Sequence, residues 1–170
     1  MPVRVCLLSD THGIVAEPIV DLVRNSDIAV HAGDIGNSAV LRALEPRSGQ
    51  IIAVLGNNDI PGKWPAADRK FLKALPDEAE LALPGGLLRI EHGHRANPAS
   101  TRHQRLRRRH PSARAILYGH SHRLNCDLET TPWVLNPGAA GRSRTYGGPS
   151  CLMLYAGPKV WRVEVHRFDA

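Results

Sequence analysis

Five of the nine histidines in this 170-residue chain stand in short turns built from aspartate, asparagine, serine and glycine. Asp10 and His12 share the turn Ser9-Asp10-Thr11-His12-Gly13, Asp34 closes Ala32-Gly33-Asp34, and Asn57, Asn58 and Asp59 follow Gly56. His92 and His94 flank Gly93, and His120 and His122 flank Ser121. Each motif alone is weak, because an Asp-x-His pair is usually a hydrogen-bonded turn and His-Gly-His is often a surface loop. The recurrence of imidazole, carboxylate and amide oxygen from turn to turn is a much stronger sign of bound metal. These donors suit manganese, iron, zinc or nickel, and the lack of a nearby thiolate argues against a structural zinc knot. There are too many of them for one tetrahedral ion. Two ions sharing a carboxylate, about 3.5–4 Å apart, would use them economically, and such a pair suits phosphoryl chemistry.

A cluster of this kind requires the turns to meet. Each follows a short apolar run rich in valine, isoleucine and leucine: residues 3–8, 28–31, 51–55, 87–91 and 115–118, with a sixth run at 133–135 leading into Asn136-Pro137-Gly138. Runs of this length and composition predict buried strands. Helical patterns over 17–25, 38–44 and 98–109 lie between several of them, and the alternation predicts an α/β fold. Four later runs, 124–128, 131–135, 151–155 and 160–167, have no helix between them, which predicts an antiparallel continuation and hence mixed sheets. Residues 61–65 and Pro84-Gly85-Gly86 read as loops. Because α/β sheets bind ligands beyond the carboxyl ends of their strands, the donor-bearing turns are expected on one rim.

Composition narrows the classes further. With 42% hydrophobic residues the chain can bury a core, and its length predicts one domain over residues 1–170. The apolar runs are far too short to span a membrane, and Arg4 and Asp10 come too early for a signal peptide. Three cysteines without a CxxC pair point to a reducing cytoplasm. The net charge of +6 is concentrated between Arg89 and Arg123, where nine arginines face one carboxylate, Glu91. That block is expected to be a solvated helix face rather than a nucleic-acid surface, since 5% aromatic residues offer little stacking area.

Taken in order, Asp-x-His, Gly-Asp, Gly-Asn-x-Asp, His-Gly-His and Gly-His-x-His resemble the motif set of the calcineurin-like metallophosphoesterase superfamily. With the short length and the Asn136-Pro137-Gly138 turn, the chain looks like the small prokaryotic phosphodiesterase subgroup, which is related to the phosphoesterase-fold subunit of the retromer coat. The resemblance runs from Asp10 to Gly138. It implies a four-layer αββα sandwich, two mixed sheets packed together with helices outside, and two divalent metal ions. Manganese is the first choice, with iron, zinc, nickel and magnesium as alternatives. The first ion would take Asp10, His12, Asp34 and His122, and the second Asp34, Asn57, His92 and His120, with Asp34 as the bridge. Bound metal lowers the pKa of water from about 15.7 to about 7, which supplies a nucleophile at neutral pH.

One position departs from the family pattern. Many relatives carry a histidine after the ligand asparagine to protonate the leaving group, with the next aspartate orienting it. Here these positions hold Asn58 and Asp59, so the acid is missing or replaced, with His94 or water as candidates. Asn136 and Arg142, with Arg144 behind them, are candidate phosphate contacts, while His31, His166 and Trp64 are expected to be structural. The implied function is metal-dependent hydrolysis of a small phosphate ester or nucleotide, most readily a diester. The alternative is a metal-binding scaffold for protein–protein interaction.

Overall fold

Val5 and Leu7 share one packing cluster and Cys6 and Leu8 another, and all four are fully buried. Successive strand residues point to opposite faces, so this strand must be covered on both sides. The computed structural model, which describes residues 1–170, shows how. The chain runs β1 (Val3–Leu8), α1 (Glu17–Arg24), β2 (Ile28–His31), α2 (Ser38–Ala43), β3 (Gln50–Ala53), α3 (Arg69–Ala74), β4 (Glu78–Leu83), β5 (Gly86–Glu91), α4 (Arg102–Arg109), β6 (Ala115–Leu117), β7 (Asn125–Asp127), β8 (Trp133–Asn136), β9 (Ser150–Ala156) and β10 (Trp161–Arg167).

The strands form two five-stranded sheets, ordered β10-β9-β1-β2-β3 and β4-β5-β6-β8-β7. In the first, β1, β2 and β3 are parallel and β9 and β10 run antiparallel. In the second, β5, β6 and β8 are parallel, with β4 and β7 antiparallel at the edges. The largest apolar cluster joins β1, β2 and β9 to β4, β5, β6 and β8, so it lies between the sheets. Ile19 and Val23 of α1 cover the outer face of the first sheet with Cys6 and Leu8. Leu106 of α4 covers the second with Ile116 and Val134. The result is the expected sandwich of two mixed sheets with helices outside.

Local chemistry sets the helix ends. Pro18 and Glu17 open α1, where a missing N–H costs nothing and an acid suits the dipole, and Arg24 sits in its last turn. Asn37 caps α2 by accepting from Val40 N at 3.1 Å. The helix expected over 98–109 begins as a single 3-10 turn, Ala99–Thr101, before α4 proper. Two elements were not foreseen, α3 and β4. The sequence Glu78-Ala79-Glu80-Leu81-Ala82-Leu83 is made of helix formers, yet only Leu81 and Leu83 are buried. That two-residue period, paired with β5 across Pro84-Gly85-Gly86, makes it an edge strand. No helix is long and apolar enough to cross a membrane.

The arginine block is largely engaged within the molecule. Arg89 pairs with Glu78 and Glu80, Arg95 with Asp77, Arg107 with Asp127 and Arg109 with Glu91. Arg102 and Arg114 bond backbone carbonyls, Arg105 bonds Thr101, and Arg123 lies over the Tyr146 ring. Most of this charge is therefore committed to internal partners.

Candidate metal centre

Parallel pairing within each sheet puts the carboxyl ends of β1, β2 and β3, and of β5, β6 and β8, at the same edge. Backbone bonds tie the turns beyond them: Asp10 N to Gly33 O, His12 N to Asp34 O and Gly119 N to His92 O. His31 reinforces the first pair of turns. Its Nδ1 accepts from Gly33 N at 3.1 Å, so its Nε2 donates to Thr11 Oγ1 at 2.9 Å. Its burial, then the neighbouring His92 charge, pushes its pKa down to about 3, consistent with a neutral structural role. Two glycines allow the close approach. A Cβ on Gly56 would collide with the Asp34 carboxylate, and one on Gly119 would meet Ser9 Oγ and Asp10 Oδ2. Asp10, His12, Asp34, His120 and His122 all hold positive φ, between 46° and 69°. Non-glycine residues rarely adopt that conformation, and it turns these side chains toward a common centre.

The donor atoms converge. His12 Nε2 and His122 Nε2 are 3.2 Å apart, His12 Nε2 is 3.7 Å from Asp34 Oδ2, and His122 Nε2 is 3.4 Å from Asp10 Oδ1. His92 Nε2 lies 3.4 Å from Asp34 Oδ2 and 3.9 Å from Asp10 Oδ1. Asp10, His12 and His122 form one compact group, and Asp10, Asp34 and His92 a second. On the outer side His120 Nδ1 meets Asn57 Oδ1 at 3.1 Å. The His94 ring centroid is 5.5 Å from that of His92 and 6.2 Å from that of His120.

The surroundings fit a cation. His92 Nδ1 donates to Ala32 O at 2.8 Å and His122 Nδ1 to Ser143 O at 3.0 Å, which aims each Nε2 inward. Asp10 Oδ2 accepts from Ser9 Oγ and His120 N at 2.8 and 3.1 Å, whereas Asp10 Oδ1 and His92 Nε2 are buried without a hydrogen-bond partner. Two unpartnered buried acceptor atoms facing each other are costly unless a cation binds there. Burial lowers the pKa of His12, His122 and His120, the last to about 4, so all three are neutral near pH 7. Burial works against charge on His92, but the Asp34 and Asp10 carboxylates outweigh it and raise its pKa. Burial also pushes the Asp10 carboxyl up to about 7. Asp34 stays well below the usual carboxylate range, because His92 and the Asn58 hydrogen bonds overcome its burial.

Several expected roles change place. Asn136 is fully buried, bonding Gly119 O, Ser121 Oγ and Gly138 N, so it braces the 119–122 turn and cannot touch a substrate. Arg142 lines a separate cavity beside Ile14 and Phe168, while Arg144, two residues on, reaches His122 Nε2 at 3.3 Å. Asp59 points inward and accepts from Ile35 N, Gly36 N, Gly56 N and Trp64 Nε1, so it fastens the turns after β2 and β3, with both of its oxygens already engaged. Trp64 is buried against Asp59, as a packing residue would be. Asn58 donates to both Asp34 oxygens, from N at 2.9 Å and from Nδ2 at 2.8 Å. Sequence reasoning missed Lys63, whose Nζ donates to Asn58 Oδ1 at 2.5 Å. His12, Asp34, Asn58, Lys63, Ser143 and Arg144 line a cleft of about 570 Å3 that has no hydrophobic wall.

Solved structures of similar fold are numerous. Vps29 complexed with zinc, from Entamoeba histolytica, is 17% identical with a TM-score of 0.72, covering 98% of each chain. A predicted phosphoesterase from Streptococcus pneumoniae TIGR4 is 23% identical with a TM-score of 0.70, covering 98% of this chain and 90% of its own. A novel archaeal phosphodiesterase is 22% identical with a TM-score of 0.68, covering 96% of this chain and 99% of its own. At such identities the likeness speaks for the fold alone. No curated protein matches the sequence significantly. The model of the calcineurin-like phosphoesterase superfamily domain matches residues 3–157, the span that carries every turn of the cleft, and the chain belongs to that superfamily.

Proposed function

We propose that the protein is a dinuclear-metal-dependent phosphoesterase, acting most readily on diesters. The observation that carries this reading is the pair of buried, unpartnered atoms Asp10 Oδ1 and His92 Nε2, set among neutral histidines and the ionised Asp34. Asp10, His12, Asp34 and His122 would hold one divalent ion, and Asp34, Asn57, His92 and His120 the other. Asp34 Oδ2 lies between His12 and His92, one from each set, which supports it as the bridge. When bound, the ions supply Lewis acidity and an activated water. The chain's own part is to fix the donors, exclude hydrogen-bonding competitors from behind and present Arg144 and Lys63 to an anionic ester. Manganese is the first candidate metal, the substrate a small phosphate ester or nucleotide, and the free thiols of Cys6, Cys126 and Cys151 suit the cytoplasm. The superfamily membership supports the same reading.

A hydrolysis screen after reconstitution with manganese, zinc, nickel, iron or magnesium tests it, comparing aryl diesters, aryl monoesters, cyclic nucleotides and short oligonucleotides. Turnover with at least one metal, abolished by exhaustive chelation, is expected. Full metal loading without turnover on any ester would turn the assignment toward a scaffold.

A further inference from the structure

Lys63 is exposed on the loop after β3, yet its position is fixed by a chain of directional bonds. Its ammonium can only donate and the Asp34 carboxylate can only accept, so the Asn58 amide between them has one orientation: Nδ2 toward Asp34, Oδ1 toward Lys63. The loop backbone is fastened as well. Lys63 N and Trp64 N both bond Ile60 O, at 2.9 and 3.2 Å, and the buried Trp64 indole is anchored on Asp59. The ammonium is therefore presented at the cleft wall, two hydrogen bonds from the carboxylate at its floor, with Arg144 and Ser143 also lining the cleft.

We propose that Lys63 is the proton donor to the departing oxygen of the ester, positioned by Asn58; this rests on the phosphoesterase reading. As the ester P–O bond breaks, its electron pair stays on the leaving oxygen, and one ammonium proton moves to that oxygen to give the alcohol. Lys63, left as the neutral amine, regains a proton from the water around it. An alkylammonium is a far stronger acid than an alcohol, so the transfer runs downhill. The other candidates lining the cleft are unsuitable. A guanidinium does not release a proton in proteins, which removes Arg144, and the Asn58 amide has none to give. His94, its ring centroid 5.5 Å from that of His92 and 6.2 Å from that of His120, is the rival donor, and full activity of Lys63→Met on alkyl esters would assign the proton to it.

The test compares Lys63→Met and Lys63→Arg with wild type over diesters whose leaving groups run from nitrophenol to simple alcohols, at equal measured metal content. The loss should grow along the series to about 10²–10⁴-fold for alkyl esters, the usual contribution of a positioned acid. Arginine keeps the charge without the proton and should be as slow as methionine, and added alkylammonium should partly rescue Lys63→Ala. Equal loss on every ester, or full activity in Lys63→Arg, would overturn the proton transfer and leave a charge contact only. Wild type inactive on every ester would instead remove the phosphoesterase reading. A second readout needs no turnover. The Lys63 ammonium resonance should be protected from solvent exchange in the metal-free protein and lose that protection in Asn58→Ala; no protection in wild type would overturn the positioning by Asn58.

Discussion

Asp10, Asp34 and His122 on one side of the cleft are buried and held from behind with only His12 half-buried, whereas on the other side His92 is buried, His120 half-buried and Asn57 exposed. Ser9 and the His120 backbone grip Asp10, Ser143 O fixes His122, and Asn58 fixes Asp34. Asn57 and His120 are joined mainly to each other. On the proposed assignment the first position would bring two carboxylates and two imidazoles, the second one carboxylate, one amide and two imidazoles. Preorganised, more negative sites bind cations more tightly, so the two positions should fill in sequence, the buried one first.

The largest effect should come from the group the positions share. Asp34→Asn should lower kcat/KM by more than the roughly 10–100-fold typical of losing a partner behind a ligand, and should empty both positions together. A variant that still binds two ions would place the bridge elsewhere. Next, Asn57→Ala should reduce bound metal from two ions to one while leaving the tighter binding step in place, and Asp10→Asn should weaken that tighter step. Calorimetric titration checks both, and the opposite pattern would reverse the ranking of the two positions.

Acidity should sharpen the contrast. Metal needs Asp10 and His92 without their protons, and both pKa values are raised, Asp10 to about 7 and His92 above its ordinary 6.5. Protons are therefore bound in the metal-free protein below about pH 7 and displaced on loading. Metal affinity should be highest above that window and fall as pH drops through it, by roughly tenfold per pH unit for each proton displaced. His12, His120 and His122, whose pKa values burial lowers, pick up protons at lower pH and should contribute less to the fall. Proton release measured in two buffers of different ionisation enthalpy decides the matter. The smallest effect is expected from Asn136→Ala, which loosens the 119–122 turn without removing a donor; a fall of about tenfold, with metal stoichiometry kept, would fit its bracing role.

The contrast also marks what the sequence made legible. The strand-end donors could be read because β-branched runs and the polar turns after them announce themselves locally, and parallel strands leave their turns one common rim. The direction of individual side chains could not. Arg142 and Arg144 differ by two residues on one loop, and only the fold decides which one reaches His122. Asp59 stands where the family's orienting aspartate would, but the four N–H groups around it make it a structural clamp. Lys63 had no motif to mark it, since its place depends on an amide five residues earlier. The strand Glu78–Leu83 was hidden by its helix-forming composition, because edge pairing with β5 outweighs local preference there.

The left-handed backbones of Asp10, His12, Asp34, His120 and His122 have a consequence for the life of the protein in a cell. Each costs on the order of 1–2 kcal/mol, against a net stability of about 5–15 kcal/mol for an ordinary domain. Ions that bind only the folded chain would offset that cost. When metal is scarce, more of the chain would be unfolded at any moment and open to proteolysis. Its abundance would then follow metal supply, and the amount of catalyst present would report on the nutrient that the catalyst requires.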